Sequence, residues 1–191
     1  MIEGRNIGEA NKLFLLFTRE LGMIDATAQA VREGKSKLRH SLRDFSFSEC
    51  GLVHGRHGWK ITGAVQSHNL FDDFRGQKGE KKEQKLLLVA HIFSLLKRLV
   101  AGEGQHGSLF ALLEQAFIFL KDESLTPEEI KNTECVLVLA ILHELGYVQK
   151  EIDFTEFVGE VAWSKSLVSA LGPLRPKILR QINTSRKESQ M

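Results

Sequence analysis

The sequence predicts an α+β protein, with a small β-domain over residues 1–76 and an all-helical domain over 80–191. Three observations predict it. Residues 13–31 hold two strand-like apolar runs joined by a tight turn at Gly22. Beyond residue 80 the apolar residues recur with helical period in long stretches. Between these regions, residues 72–83 (DDFRGQKGEKKE) are polar, contain two glycines and have no apolar residue after Phe74, as a boundary should.

In the first region, Lys12–Phe17 and Met23–Val31 read as strands. Gly51–His54 and Trp59–Val65 read as a hairpin across Gly55-Arg56-His57-Gly58, where glycine supplies positive φ without a Cβ clash. Four or five short strands in so few residues fit a small barrel. A five-stranded OB-fold matches the count, and periodicity does not separate it from an SH3-like barrel. Residues 37–45 fit two patterns. Lys37, Arg39 and Arg43 alternate with Leu38 and Leu42 as on a strand, while Leu38, Leu42 and Phe45 are spaced as on a helix face. In both, cations and apolar residues fall on different faces.

In the second region, Lys81–Val100 is apolar on most of its circumference after Leu86 and is expected to be central. Leu109–Leu120 (LFALLEQAFIFL) is another buried helix. Thr126-Pro127-Glu128-Glu129 supplies an N-cap, a proline at the first helical position and a glutamate three residues after the cap. That helix should end at Leu145 before Gly146. Asp153 and Glu156 should cap a further helix ending near Gly172. Pro176 should open a short last one, Lys177–Asn183, before a polar, frayed tail.

With 42% hydrophobic and 26% charged residues, the chain has an ordinary globular composition. No apolar run reaches the roughly 18 residues a membrane span needs. Glu3 and Arg5 stand where a secretion signal would be apolar, so the expected compartment is the cytoplasm. Cys50 and Cys135 lie far apart in sequence and neither is in a CxxC pair, so free packed thiols are expected. His54 and His57 lack nearby carboxylate or thiol partners and read as surface histidines. No P-loop, GxSxG, HExxH or dinucleotide fingerprint occurs. Asp72-Asp73 and Asp122-Glu123 sit in loop-like stretches, where a metal-dependent nuclease would need carboxylates on rigid elements. The chain reads as non-enzymatic and cofactor-free.

The formal net charge is +2, but it is unevenly spread. Residues 32–60 carry 7 Lys+Arg against 3 Asp+Glu. A cationic surface of this kind suits a polyanion. The candidate DNA contacts are Arg32, Lys35, Lys37, Arg39, Arg43, Arg56 and Lys60. Among Phe14, Phe17, Phe45, Phe47 and Trp59, the best candidate to stack on an unpaired base is Trp59, between Arg56 and Lys60. Phe14 and Phe17 read as core. In the helical region Lys97-Arg98 ends one helix, and Arg175, Lys177 and Arg180 surround the last one beside Leu174, Ile178, Leu179 and Ile182. A basic rim around an apolar groove suits an acidic peptide; plain helix packing with snorkelling cations is the alternative.

Several stretches, in order, resemble the RecO family of recombination mediators. They are Arg5…Gly8-Glu9-Ala10-Asn11-Lys12; Thr18-Arg19-Glu20-Leu21-Gly22; Ala30-Val31-Arg32 with Lys35-Ser36-Lys37-Leu38-Arg39, Leu42 and Phe45-Ser46; Leu109-Phe110…Leu113…Ala116; Glu134 through Leu145-Gly146-Tyr147; and Leu171-Gly172…Leu174-Arg175. Three departures stand out. The first strand is short. Residues 148–157 have no cysteine where many members carry a four-cysteine zinc site. Pro176 replaces a usual serine.

The resemblance implies an OB-fold and a helical domain, binding of single- and double-stranded DNA, annealing of complementary strands, and help in loading recombinase onto DNA coated by single-strand-binding protein (SSB). It implies RecR and the acidic C-terminal tail of SSB as partners and a place at the nucleoid; with the four cysteines missing, no zinc is expected. The rival reading is a protein–protein adaptor whose OB-like domain has no direct DNA role.

Overall fold

A computed structural model describes residues 1–77, 79–100, 102–148 and 152–188. The chain forms two compact units: residues 1–76 with 100–106, and residues 77–99 with 107–191.

The first unit is one five-stranded sheet: β1 (Glu3–Ile7), β2 (Asn11–Thr18), β3 (Gly22–Ala28), β4 (Ser46–Gly55) and β5 (Gly58–Asn69), in the order β1-β2-β3-β5-β4. Only β3 and β5 run parallel, pairing Ala26 with Trp59 and Thr27 with Lys60. The sheet is open, with β1 and β4 as its edges, so the expected barrel closure is not present in the strand pairing. One link spans those edges: the Met1 nitrogen donates to the Ser46 carbonyl at 2.7 Å.

Alternation sets the inner face. Phe14 and Leu16 on β2, Ile24, Ala26 and Ala28 on β3 and Ile61 on β5 form one buried cluster with Val31 and Leu42. Phe14 is core as expected, while Phe17 is half-buried. β3 stops at Ala28, short of the expected Val31. Ala30 there adopts a left-handed φ of 51°, and its N–H donates to Asn11 Oδ1 instead of a ladder partner. Residues 38–41, compatible in sequence with strand or helix, form the single turn α1 (Leu38–Ser41). A second turn, α2 (Leu70–Asp73), is capped by Asn69, whose side chain accepts from the Phe71 and Asp72 N–H groups.

Residues 102–104 lie against the edge of β3 where β5 has no pairing. Met23 N–H donates to the Gly102 carbonyl at 3.2 Å, and Gly104 N–H to the Leu21 carbonyl at 3.1 Å. Gly22 has a φ of +67°, and a Cβ there would lie 2.6 Å from the Gly104 carbonyl oxygen, so glycine is required for this contact.

The second unit contains α3 (Glu80–Leu99), α4 (Gly107–Phe119), α5 (Pro127–Glu144), α6 (Lys165–Ala170) and α7 (Arg175–Glu188). The hub is α5, in place of the expected 81–100 helix: it packs on α3, α4, α6 and α7. Its predicted capping box is formed, with Glu129 N–H donating to Thr126 Oγ1 at 3.2 Å and Thr126 N–H to Glu129 Oε2 at 2.7 Å. That bond holds the Glu129 carboxyl below its usual range. Gly146, at φ +78°, ends the helix as predicted.

The expected single helix from 153 to 172 is absent. Its place is taken by a 3₁₀ turn (Ile152–Phe157), a left-handed Gly159 at φ +75° and α6, whose N-cap is Ser164. The proposed Asp153 cap falls on a side chain outside the described residues. α7 starts at Arg175, earlier than expected, and its helix continues to Glu188 through the segment read as frayed.

Candidate nucleic-acid interface

The cationic stretch follows directly from the end of β3. The chain turns through residues 29–37, is pinned at its start, and then enters α1. The pin is Arg32: its N–H donates to the Ala10 carbonyl at 3.0 Å and its guanidinium Nη1 to the Gly8 carbonyl at 2.9 Å. Part of its donor capacity is thereby committed to the β1–β2 turn.

Lys35, Lys37 and Arg39 are exposed, and make no side-chain hydrogen bond or ion pair among the described residues. Arg43 differs, because its guanidinium is paired with the Asp72 carboxylate of α2. A phosphate at Arg43 would therefore have to share the guanidinium with Asp72 or displace it. Arg56, in the β4–β5 turn, and Lys60, on β5, are exposed without such partners among the described residues.

Trp59 is half-buried and packs against the sheet core, so part of its indole still reaches solvent. The His54 ring meets it edge-on, 4.9 Å between centroids at 76°. Its Nε1–H donates to Glu103 Oε1 at 2.7 Å. Sequence reading picked out Trp59 but missed Glu103. The glycine-rich stretch 102–107 signals a loop without indicating what that loop covers.

Between α1 and β5 lies an open depression of about 620 Å³ lined by His40, Ser41, Arg43, Ala64, Val65 and Gln66. Val65 is 70% exposed, an unusual position for a β-branched apolar side chain. The depression therefore sets His40 and Arg43 beside the exposed Val65.

The helical unit has a separate cavity of about 480 Å³ between α3, α5 and α7. Leu95, Val138, Leu179 and Ile182 give it apolar walls, while Arg98, Lys131 and Arg175 supply three cations. Arg175 is held by Glu128 at 2.6 Å, and His91 on the same wall meets Glu134 at 2.9 Å. Of the residues expected to dock a partner, Arg98 and Arg175 line this cavity. Lys97, Lys177 and Arg180 are exposed elsewhere, and Ile178 is fully buried in the core, which corrects its expected place in a groove. Lys131 was not foreseen, since one lysine on the polar side of a helix carries no signal by itself. Cys135 also lines the cavity, and burial pushes its thiol up to about 11. Among the described residues no group of three or more His, Cys, Asp or Glu side chains is placed to hold a metal ion, and no helix is long and apolar enough to cross a membrane.

No protein-family model matches the chain. Curated relatives do. The chain is 28% identical over 131 residues to the DNA repair protein RecO of Alkaliphilus metalliredigens, covering 68% of this chain and 50% of that protein. It is 26% identical over 170 residues to the protein of that name from Desulfitobacterium hafniense, covering 88% and 58%. A shorter match, 40% identical over 57 residues, is to the DNA repair protein RecO of Dehalococcoides mccartyi, covering 30% and 22%. The chain thus spans about half the length of the first two relatives. Over most of its length the chain is thus similar, at 26–28% identity, to proteins of one name, DNA repair protein RecO.

Proposed function

We propose that the chain is a non-catalytic DNA-binding protein of recombinational repair. It holds single- and double-stranded DNA on the sheet unit, brings complementary strands together, and assists recombinase loading on SSB-coated DNA. The observation that carries the reading is the exposed set Lys35, Lys37 and Arg39, which makes no side-chain hydrogen bond or ion pair among the described residues and follows a pinned turn on a rigid sheet. Cations left available in this way can release the counterions condensed on DNA, which gives sequence-independent, salt-dependent affinity. The strand order, with its single parallel β3–β5 pairing, is compatible with an OB-like unit of Greek-key type.

A second site completes this reading. The helical cavity combines apolar walls with Arg98, Lys131 and Arg175, a chemistry suited to an acidic peptide that ends in apolar residues and a carboxylate, as the SSB tail does. RecR is the other partner implied by the family.

The test is fluorescence anisotropy of a labelled single-stranded 40-mer across a salt series, then annealing with its complement. Micromolar binding that weakens steeply with salt, with accelerated annealing, supports the mediator reading. Absence of binding at low salt overturns it in favour of the adaptor reading.

A further inference from the structure

The contact between Trp59 and Glu103 has a chemical oddity. A carboxylate accepts the hydrogen bond of the Trp59 indole, the aromatic side chain that lies between Arg56 and Lys60 in sequence. Glu103 is exposed and reaches Trp59 Nε1 at 2.7 Å from a segment that is firmly seated. Two backbone hydrogen bonds tie residues 102–104 to Leu21 and Met23, an isolated bridge pairs Glu103 with Gly22, and His106 lies 6.2 Å from the Phe17 ring. Glu103 is therefore held beside the indole by its backbone and does not depend on the side-chain contact to stay there.

That placement has two consequences. First, the single N–H of the indole is engaged, and with the sheet core and the His54 edge it fixes the ring plane. A fixed ring loses less entropy on stacking than a free one. Second, a negative charge stands beside the ring. A duplex offers an approaching surface mainly its phosphates, which this charge repels. A single strand can turn an unpaired base toward the ring and keep its phosphates away from Glu103.

We propose that Glu103 is a specificity-determining residue, which orients Trp59 for unpaired bases and disfavours duplex phosphates at that position. The inference rests on the DNA-binding reading given above. It concerns the preference between strand types, which cation content alone does not set.

The test uses the full chain with Trp163→Phe, so that Trp59 is the only indole. Single- and double-stranded 30-mers are titrated at one salt concentration, reading anisotropy and Trp59 emission. In the parent, single-stranded DNA quenches Trp59 and binds more tightly than duplex. Glu103→Gln keeps an acceptor for the indole and loses the charge. It is expected to retain quenching and to raise duplex affinity about two- to fivefold, the size of an exposed charge interaction, with single-strand affinity little changed. Glu103→Ala is expected to raise duplex affinity similarly and to lose most of the quenching. If the parent binds neither DNA, the DNA reading itself fails. If the parent binds and both variants keep its strand preference and its quenching, Glu103 has no such role and only this inference is overturned.

Discussion

Lys85 is buried in the helical unit with its ammonium donating to Gln77 Oε1 and to the Asp122 carbonyl, both at 2.8 Å. The Gln77 side chain in turn donates to the Lys121 carbonyl at 3.3 Å. One lysine on the first turns of α3 thus ties residue 77, at the start of the unit, to the connection between α4 and α5. A buried lysine is expensive as a cation, and burial lowers its pKa, the Asp122 charge opposing that effect.

Two outcomes are expected at Lys85. Lys85→Ala leaves two polar groups without this donor, and should destabilise the helical unit by about 2–4 kcal/mol in denaturant unfolding. The pH dependence has a definite sign. The folded pKa lies below the unfolded value, so between the two the unfolded chain binds more protons and stability rises with pH. A neutral amine keeps two N–H groups, enough for both bonds. Relative to Lys85→Met, the parent should therefore gain stability as pH rises from neutrality toward about 10. A difference that shrinks over that range overturns this account.

For the sheet unit, the decisive comparison is between free and paired cations. Replacing Lys35, Lys37 and Arg39 together by Gln should lower the slope of log affinity against log salt by about 2 for single-stranded DNA, at roughly 0.7 per lost contact. Arg43→Gln should change the slope little. Its loss breaks an exposed pair with Asp72, for which a cost below about 1 kcal/mol is expected. A slope lowered by about 0.7 by Arg43→Gln alone would show that Arg43 leaves Asp72 when DNA binds.

Gly22 and Gly8 make a matched pair for the seat of segment 102–104. Both have positive φ, +67° and +58°. A Cβ at Gly8 meets nothing within 4 Å, so Gly8→Ala should cost only the left-handed backbone, about 1–2 kcal/mol. At Gly22 the added atom would also press on the Gly104 carbonyl at 2.6 Å. Gly22→Ala should therefore cost more than Gly8→Ala in thermal unfolding, and should alter Trp59 emission through displacement of Glu103. Equal costs and unchanged emission would mean that segment 102–104 is not seated as described.

These sites show where sequence reading reaches and where it stops. The α5 start was legible because its cap is local: Thr126 and Glu129 are three residues apart and satisfy each other's backbone. The end at Gly146 is local in the same way. The break within 153–172 does not follow from Asp153 and Glu156 as caps, because Gly159 and Ser164, a stop and a second cap, divide the stretch. The cationic turn was visible as composition, yet the division between Arg43 and Lys37 depends on Asp72, twenty-nine residues from Arg43. Segment 102–104 was illegible for a stronger reason. It is held by backbone hydrogen bonds and by the absence of a Cβ at Gly22, and neither leaves a side-chain pattern.

The helical cavity gives the last prediction, through the Arg175–Glu128 pair at 2.6 Å. Arg175 lines the cavity and is paired with a carboxylate that does not. An incoming acidic peptide competes with Glu128 for it. Arg175→Ala should weaken binding of an SSB-tail peptide about tenfold or more, the loss of one charge-assisted contact. Glu128→Gln should leave binding unchanged or tighten it up to about fivefold, because an exposed competitor is removed. Titration of a labelled peptide against the parent and both variants reads the two effects directly. Weaker binding from Glu128→Gln would make the pair a preorganising device in which Glu128 aims Arg175. No effect of Arg175→Ala on a measurable affinity would place the peptide outside this cavity.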